Sequence, residues 1–183
     1  MEKKHSFFDG ETYRGYKISL KLVREGIDDY QPARIHSPTD VYQFMSEIKN
    51  NDRERFYSVH LDTNHSIVSC EEVSSGTVEC TVVHPREVFK SALLCSSCGI
   101  ILVHNHPSGT TEPSEQDKIL TQRLYVCGEL MGIQVFDSVI IGLDSYYSFL
   151  ESGLFEDFRK GNQLGDRKRG DDSRFFKNIY LEI

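Results

Sequence analysis

"VHNHPSGTTEPSEQD", residues 103–117, places two histidines, a serine and an aspartate in a stretch otherwise shaped like a turn. Just upstream, "GIILVHNH" (99–106) is a continuous apolar run that ends in histidines, the pattern of a central, buried strand. Residues two apart on a strand point to the same side, so His104 and His106 can face one ion at the strand's end. Pro107 and Gly109 then turn the chain sharply. A helix capped by Ser114 runs to about Met131. Its first turn carries Asp117, which this return can bring beside the two imidazoles as a third ligand. Two histidines, one carboxylate and a water form a common catalytic zinc set, with the fourth position left open for chemistry.

A plainer reading accounts for some of these residues. Ser114 followed three residues later by Asp117 is close to a capping box, which needs no metal. His104 can end a strand without binding anything. The two roles are compatible, since Ser114 can cap the helix and still point its hydroxyl into the site. The whole string, with both histidines closing a buried strand and a carboxylate at the next helix start, favours metal.

The flanking sequence alternates between strand and helix patterns. "RFYSVHLDT" (55–63) and "SIVSCEEV" (66–73) read as strands joined by a turn, and "IQVFDSVIIG" (133–142) as another strand. "HPREVFKSALLC" (84–95) reads as a helix opened by Pro85. "SPTD" (37–40) starts a further helix, with Ser37 as cap and Val41, Phe44, Met45 and Ile48 as its buried face. Leu120, Leu124, Cys127 and Met131 form the expected apolar stripe of the helix after Ser114. The alternation implies one α/β domain. Residues 1–36 form an N-terminal extension with a strand expected at "YKISLKLV" (16–23), residues 37–158 the domain, and residues 159–183 a charged linker and an apolar tail, "FFKNIYLEI".

The chain has 183 residues, with 38% hydrophobic and 27% charged, ordinary values for a globular protein. Eleven Phe and nine Tyr supply bulky core material, so size alone demands no disulfide or metal staple. The net charge of −7 argues against broad, non-specific nucleic-acid binding. No apolar run is long enough for a signal peptide or a membrane span, and the five cysteines fit a reducing compartment. A cytoplasmic protein without a membrane partner is expected.

"HNHPSG…PSEQD" closely resembles the JAMM motif, H-x-H-x7-S-x2-D, of JAB/MPN-domain metalloproteases, and within that superfamily the RadC group. "GTVECTVVHPREVFKSAL" and "GIQVFDSVIIG" resemble that group as well, and the likeness covers about residues 36–155. It implies an α/β, three-layer JAB/MPN fold related to cytidine deaminases, a central mixed sheet flanked by helices. It implies zinc held by His104, His106 and Asp117, with Ser114 as a supporting or oxyanion-stabilising residue. The family's general base is a glutamate just before an early strand, and Glu54 in "DRERFYSVHLD" matches that place. Glu71, Glu72 and Glu87 are weaker candidates; by itself Glu54, between Arg53 and Arg55, reads as a solvated surface charge.

The chain departs from the group's pattern twice. Only about 36 residues precede the domain, where RadC-like proteins commonly carry a helix-hairpin-helix region, so weak direct DNA binding is expected of the isolated chain. Ser138 stands where the group has a histidine, a change expected at the rim of the site. The implied activity is hydrolysis of a peptide or isopeptide bond in a protein or peptide substrate. The alternative is a module of DNA-repair or mobile-element systems that acts through partners. The tail offers a surface for homo-oligomer formation or for docking on its own domain; the alternative is a frayed terminus. The literal "HNH" does not make a nuclease, since those enzymes do not hold the three residues consecutively. "CSSC" (95–98) lies upstream of the histidines with no H-x-E, unlike a zinc deaminase, and reads as packing. His60, His65 and His84 read as strand, turn and helix-start residues.

Overall fold

A computed structural model describes residues 33–76 and 83–161. The strand expected at 16–23 and the apolar tail lie outside the described residues. In chain order the elements are α1 (Pro38–Phe44), a short 3-10 helix (Ser46–Asn50), β1 (Glu54–Leu61), β2 (Ile67–Gly76), α2 (Pro85–Leu94), β3 (Gly99–Asn105), α3 (Glu115–Met131), β4 (Gln134–Ile141), β5 (Tyr146–Ser148) and α4 (Leu154–Gly161).

The five strands form one mixed sheet in the order β2-β1-β3-β4-β5. β3 is buried at every position, as its apolar run requires, because it lies in the middle and is covered on both faces. It pairs antiparallel with β1 and parallel with β4. The parallel pairing needs a crossover, and α3 supplies it. Gly132 ends α3 in the left-handed conformation, φ 69°, and the chain drops directly into β4.

Two apolar layers complete the molecule. On one face Ile100 and Leu102 of β3 pack with Val88 and Phe89 of α2, Leu124 of α3, and Phe155 of α4. On the other, Ile101 and Val103 pack with Val41, Met45 and Ile48. Ile35 joins this second layer, and its segment hydrogen-bonds across the start of β2. The architecture is α/β with three layers.

Two expected core residues are on the surface. Phe44 is 43% exposed, because α1 stops there and tightens into the 3-10 helix. The change from 3.6 to about three residues per turn keeps Met45 and Ile48 inward and turns Phe44 out. Met131 is 39% exposed at the last position of α3; Leu120, Leu124 and Cys127 of the expected stripe do pack on the core, together with Thr121, Tyr125, Val126 and Gly128.

Candidate metal centre

The site is built where β3 ends and α3 begins. His104 and His106 leave the strand end on the same side, and their Nε2 atoms are 3.2 Å apart. Gly109, with φ 80°, turns the loop, and the Thr110 carbonyl comes within 3.1 Å of His106 Nδ1. A carbonyl can only accept, so His106 Nδ1 carries the proton and Nε2 keeps its lone pair for the site. His104 is 2% exposed, its Nδ1 has no hydrogen-bond partner among the described residues, and the Phe56 ring of β1 stacks on it. The Nδ1 side of the His104 ring is thus held by packing.

Asp117 completes the group. Its Oδ1 is 3.4 Å from His104 Nε2 and its Oδ2 is 3.6 Å from His106 Nε2. One ligand atom from each of the three residues lies within 4.8 Å of the others. In a tetrahedral site with ligand distances of ~2.0–2.2 Å, donor atoms stand about 3.3–3.6 Å apart. The spacings of 3.2, 3.4 and 3.6 Å, the last two to different oxygens of Asp117, lie close to that figure, and two imidazole nitrogens with a carboxylate are a donor set able to hold a metal ion.

Ser114 serves Asp117 directly. Its backbone N–H donates to Asp117 Oδ2 at 2.7 Å and its hydroxyl at 2.6 Å, while its Oγ accepts from the Asp117 N–H at 3.2 Å. This is a capping box, and it also locks the aspartate rotamer facing the histidines. Burial by itself would push the Asp117 carboxyl up; hydrogen bonds with His104, His106 and Ser114 outweigh it and hold the carboxyl well below its usual range. The facing Asp117 carboxylate favours the charged form of the His106 ring and raises it against its burial, and the Glu54 charge adds to the rise.

Glu54 is the first residue of β1. Phe56 stands directly opposite His104 in the antiparallel register, and Glu54 is two residues further towards the same end. Residues two apart share a face, so Glu54 shares the face on which Phe56 meets His104. Its field at His106 follows from that placement.

A family model described as a RadC-like JAB domain matches residues 35–154. The chain belongs to the RadC-like JAB domain family. It is 48% identical to a UPF0758 protein of Desulforudis audaxviator over 128 residues, which are 69% of this chain and 55% of the relative. It is 46% identical to one of Methanosarcina acetivorans over 126 residues, 68% and 55% of the two chains. A UPF0758 protein of Clostridioides difficile is 45% identical over 139 residues, 74% and 59%. The chain spans about half the length of the curated relatives it matches. The mixed sheet between helical layers is the JAB/MPN fold that the resemblance implied.

The other residues singled out in this RadC-like JAB domain do not belong to the group of His104, His106 and Asp117. Glu72 accepts from Arg55 at 2.9 Å and from the Tyr57 hydroxyl at 3.0 Å. Glu87 pairs with Lys90 and Arg86 on the exposed start of α2. Glu71 stands opposite Ser58, four residues along β1 from Glu54. Ser138 is fully buried and accepts from the Thr121 hydroxyl at 3.2 Å, so it is a sheet–helix contact rather than the rim residue expected. His60 lies within β1, His65 occupies a turn with φ 59°, and His84 stands at the start of α2, as their settings in the sequence suggested. Cys95 caps the C-terminal end of α2, and its Sγ lies 3.1 Å from the Ser69 hydroxyl. No helix among the described residues is long and apolar enough to cross a membrane.

Sequence reasoning passed over Phe56, Thr110 and Asn105. Phe56 reads as ordinary core, and Thr110 acts through its backbone. Asn105 did carry a signal: a polar side chain inside a buried run must find hydrogen-bond partners.

Proposed function

We propose that this domain is a zinc-dependent metallohydrolase of the JAMM type that cleaves a peptide or isopeptide bond in a protein substrate. The convergence of His104, His106 and Asp117, with Glu54 on the neighbouring strand end, carries this reading. The two imidazoles and the carboxylate would hold the ion, and their N2O set suits zinc. Bound zinc lowers the pKa of its water to about 7 and polarises a carbonyl.

The chain's own groups do the rest. Thr110 fixes which His106 nitrogen is free, and Ser114 keeps Asp117 turned inward. Glu54 takes the proton of the attacking water and returns it to the leaving amine nitrogen, a task for one carboxylate acting as base and then as acid. His104, His106 and Asp117 are engaged as ligands and cannot do this. A module working only through partners would not need a converged ligand set, so the hydrolase reading is preferred.

The test is metal content with hydrolysis. Purified protein supplemented with zinc should hold about one ion per chain. It should cleave members of a panel of peptide-linked and lysine-linked protein conjugates, and lose that activity on chelation. His104→Ala and His106→Ala should abolish metal binding. Absence of bound transition metal in the supplemented wild type would overturn the reading.

A further inference from the structure

Asn105 sits between the two histidines, fully buried, and faces the start of β1. Its Oδ1 accepts from the Arg55 N–H at 3.0 Å, and its Nδ2 donates to the Arg53 carbonyl at 3.0 Å. Both partners are backbone groups, and they bracket Glu54. On this side of β1 the strand pairing ends at Phe56–His104. One residue further on, the Asn105 side chain stands in for the missing main-chain partner and closes the gap between the strands.

We propose that Asn105 is the positioning residue for Glu54: its carboxamide pins the β1 backbone on both sides of Glu54 and so sets where that carboxylate stands relative to His104, His106 and Asp117. The proposal rests on the reading of Glu54 as general base. The chemistry selects asparagine. The site needs one acceptor and one donor on a short planar group, and only the carboxamide of asparagine offers both at this length. Aspartate has no donor for the Arg53 carbonyl, glutamine is one methylene too long, and serine or threonine cannot reach both partners. The His-Asn-His triplet therefore does two jobs by strand alternation. Its outer residues face the metal centre, and its middle residue ties the strand carrying the base to the strand carrying two ligands.

A purely structural strand tie would alter stability and leave the metal's surroundings unchanged. The experiment therefore reads the metal. Cobalt-substituted wild type, Asn105→Ala, Asn105→Thr, Glu54→Gln and the double variant Asn105→Ala/Glu54→Gln are compared. Cobalt content, melting temperature and the pH dependence of the visible cobalt spectrum are recorded for each. Threonine is included because it favours strands and keeps the site neutral. Both Asn105 variants should keep about one ion per chain. Their spectral pH profiles should move in the same direction as that of Glu54→Gln, and the double variant should move no further than Glu54→Gln alone, because the two residues act through one carboxylate. A wild-type profile in the Asn105 variants, with a displaced one in Glu54→Gln, overturns the positioning role alone. Additive shifts in the double variant overturn it as well. Loss of the ion from both Asn105 variants does the same, since Asn105 would then act on the ligands. An unmoved profile in Glu54→Gln removes the general-base reading and this proposal together.

Discussion

The Phe56 ring lies nearly parallel to His104, planes 14° apart and centroids 5.9 Å apart, so an apolar residue of β1 orients an imidazole at the end of β3. This contact stands in for the hydrogen bond that usually fixes the second nitrogen of a ligating histidine. Its loss should therefore be felt as metal affinity. Phe56→Ala would also open a core cavity, so Phe56→Leu is the better probe. We expect the zinc affinity of Phe56→Leu to fall by ~10-fold, within the range seen when a group supporting a ligand is removed. A competition titration against a chromogenic chelator would measure it, and an unchanged affinity would show that the ring does not depend on the stack.

Ser114 and Ser37 allow capping to be separated from support of the metal. Each closes a capping box, Ser37 with Asp40 at α1 and Ser114 with Asp117 at α3. Either change to alanine should cost about 1 kcal/mol of stability. Ser114→Ala should also weaken zinc binding by ~10–100-fold, because Asp117 loses the hydroxyl that fixes its rotamer. Ser37→Ala should leave zinc binding untouched. Equal zinc affinities in the two variants would reduce Ser114 to a helix cap.

Asp137 gives a pH signature unrelated to the metal centre. It is buried on β4 and accepts from the Ser148 hydroxyl and from the N–H groups of Ser138 and Leu150. Burial pushes its carboxyl up to about 6, even though those hydrogen bonds pull the other way. The folded state therefore holds this proton to higher pH than the unfolded chain, whose carboxyl titrates near 3.9. Its stabilising contribution is complete below about pH 4 and is lost as pH rises through about 6. Asp137→Asn keeps the shape and the acceptor oxygen and cannot titrate. The stability of wild type relative to Asp137→Asn should fall by about 2 kcal/mol between pH 4 and pH 7. Denaturant titrations in the presence of chelator would follow it. A constant difference would mean that the carboxyl ionises in the folded protein as it does in the unfolded chain.

The features legible in the sequence were those whose signals are local. Ser114, Asp117 and Gly132 mark both ends of α3, and the unbroken apolar run of 99–105 marks β3 as central. Asp117 could be placed beside the histidines because a strand, a turn and a helix start allow few other arrangements. Phe44 was misassigned because its spacing from Val41 fits a longer helix, and the tightening after Met45 leaves no local mark. β5 went unseen because it is three residues long and is held by Asp137, eleven residues away. The partners of Asn105 lie about fifty residues upstream, so its need for hydrogen bonds was visible and their identity was not.

The place of Glu54 at the start of its strand decides how it must behave. It opens β1, two residues beyond the one facing His104, and its charge contributes to the raised proton affinity of His106. A base in this position does not hold the metal, so its removal should separate binding from turnover. Glu54→Gln keeps the size and the hydrogen-bonding capacity of the side chain and removes only the ability to take a proton. Zinc content and melting temperature should stay at wild-type values while kcat on a cleavable conjugate falls by ~10²–10⁴-fold. Asp117→Asn should give the reverse order of events, with zinc lost first and activity lost as a consequence. Glu54→Asp draws the carboxylate back by one methylene and should be slow for want of reach, with the pH dependence of a carboxylate base retained. Substantial turnover by zinc-loaded Glu54→Gln would exclude Glu54 as the base and direct the search to another group able to take the water's proton.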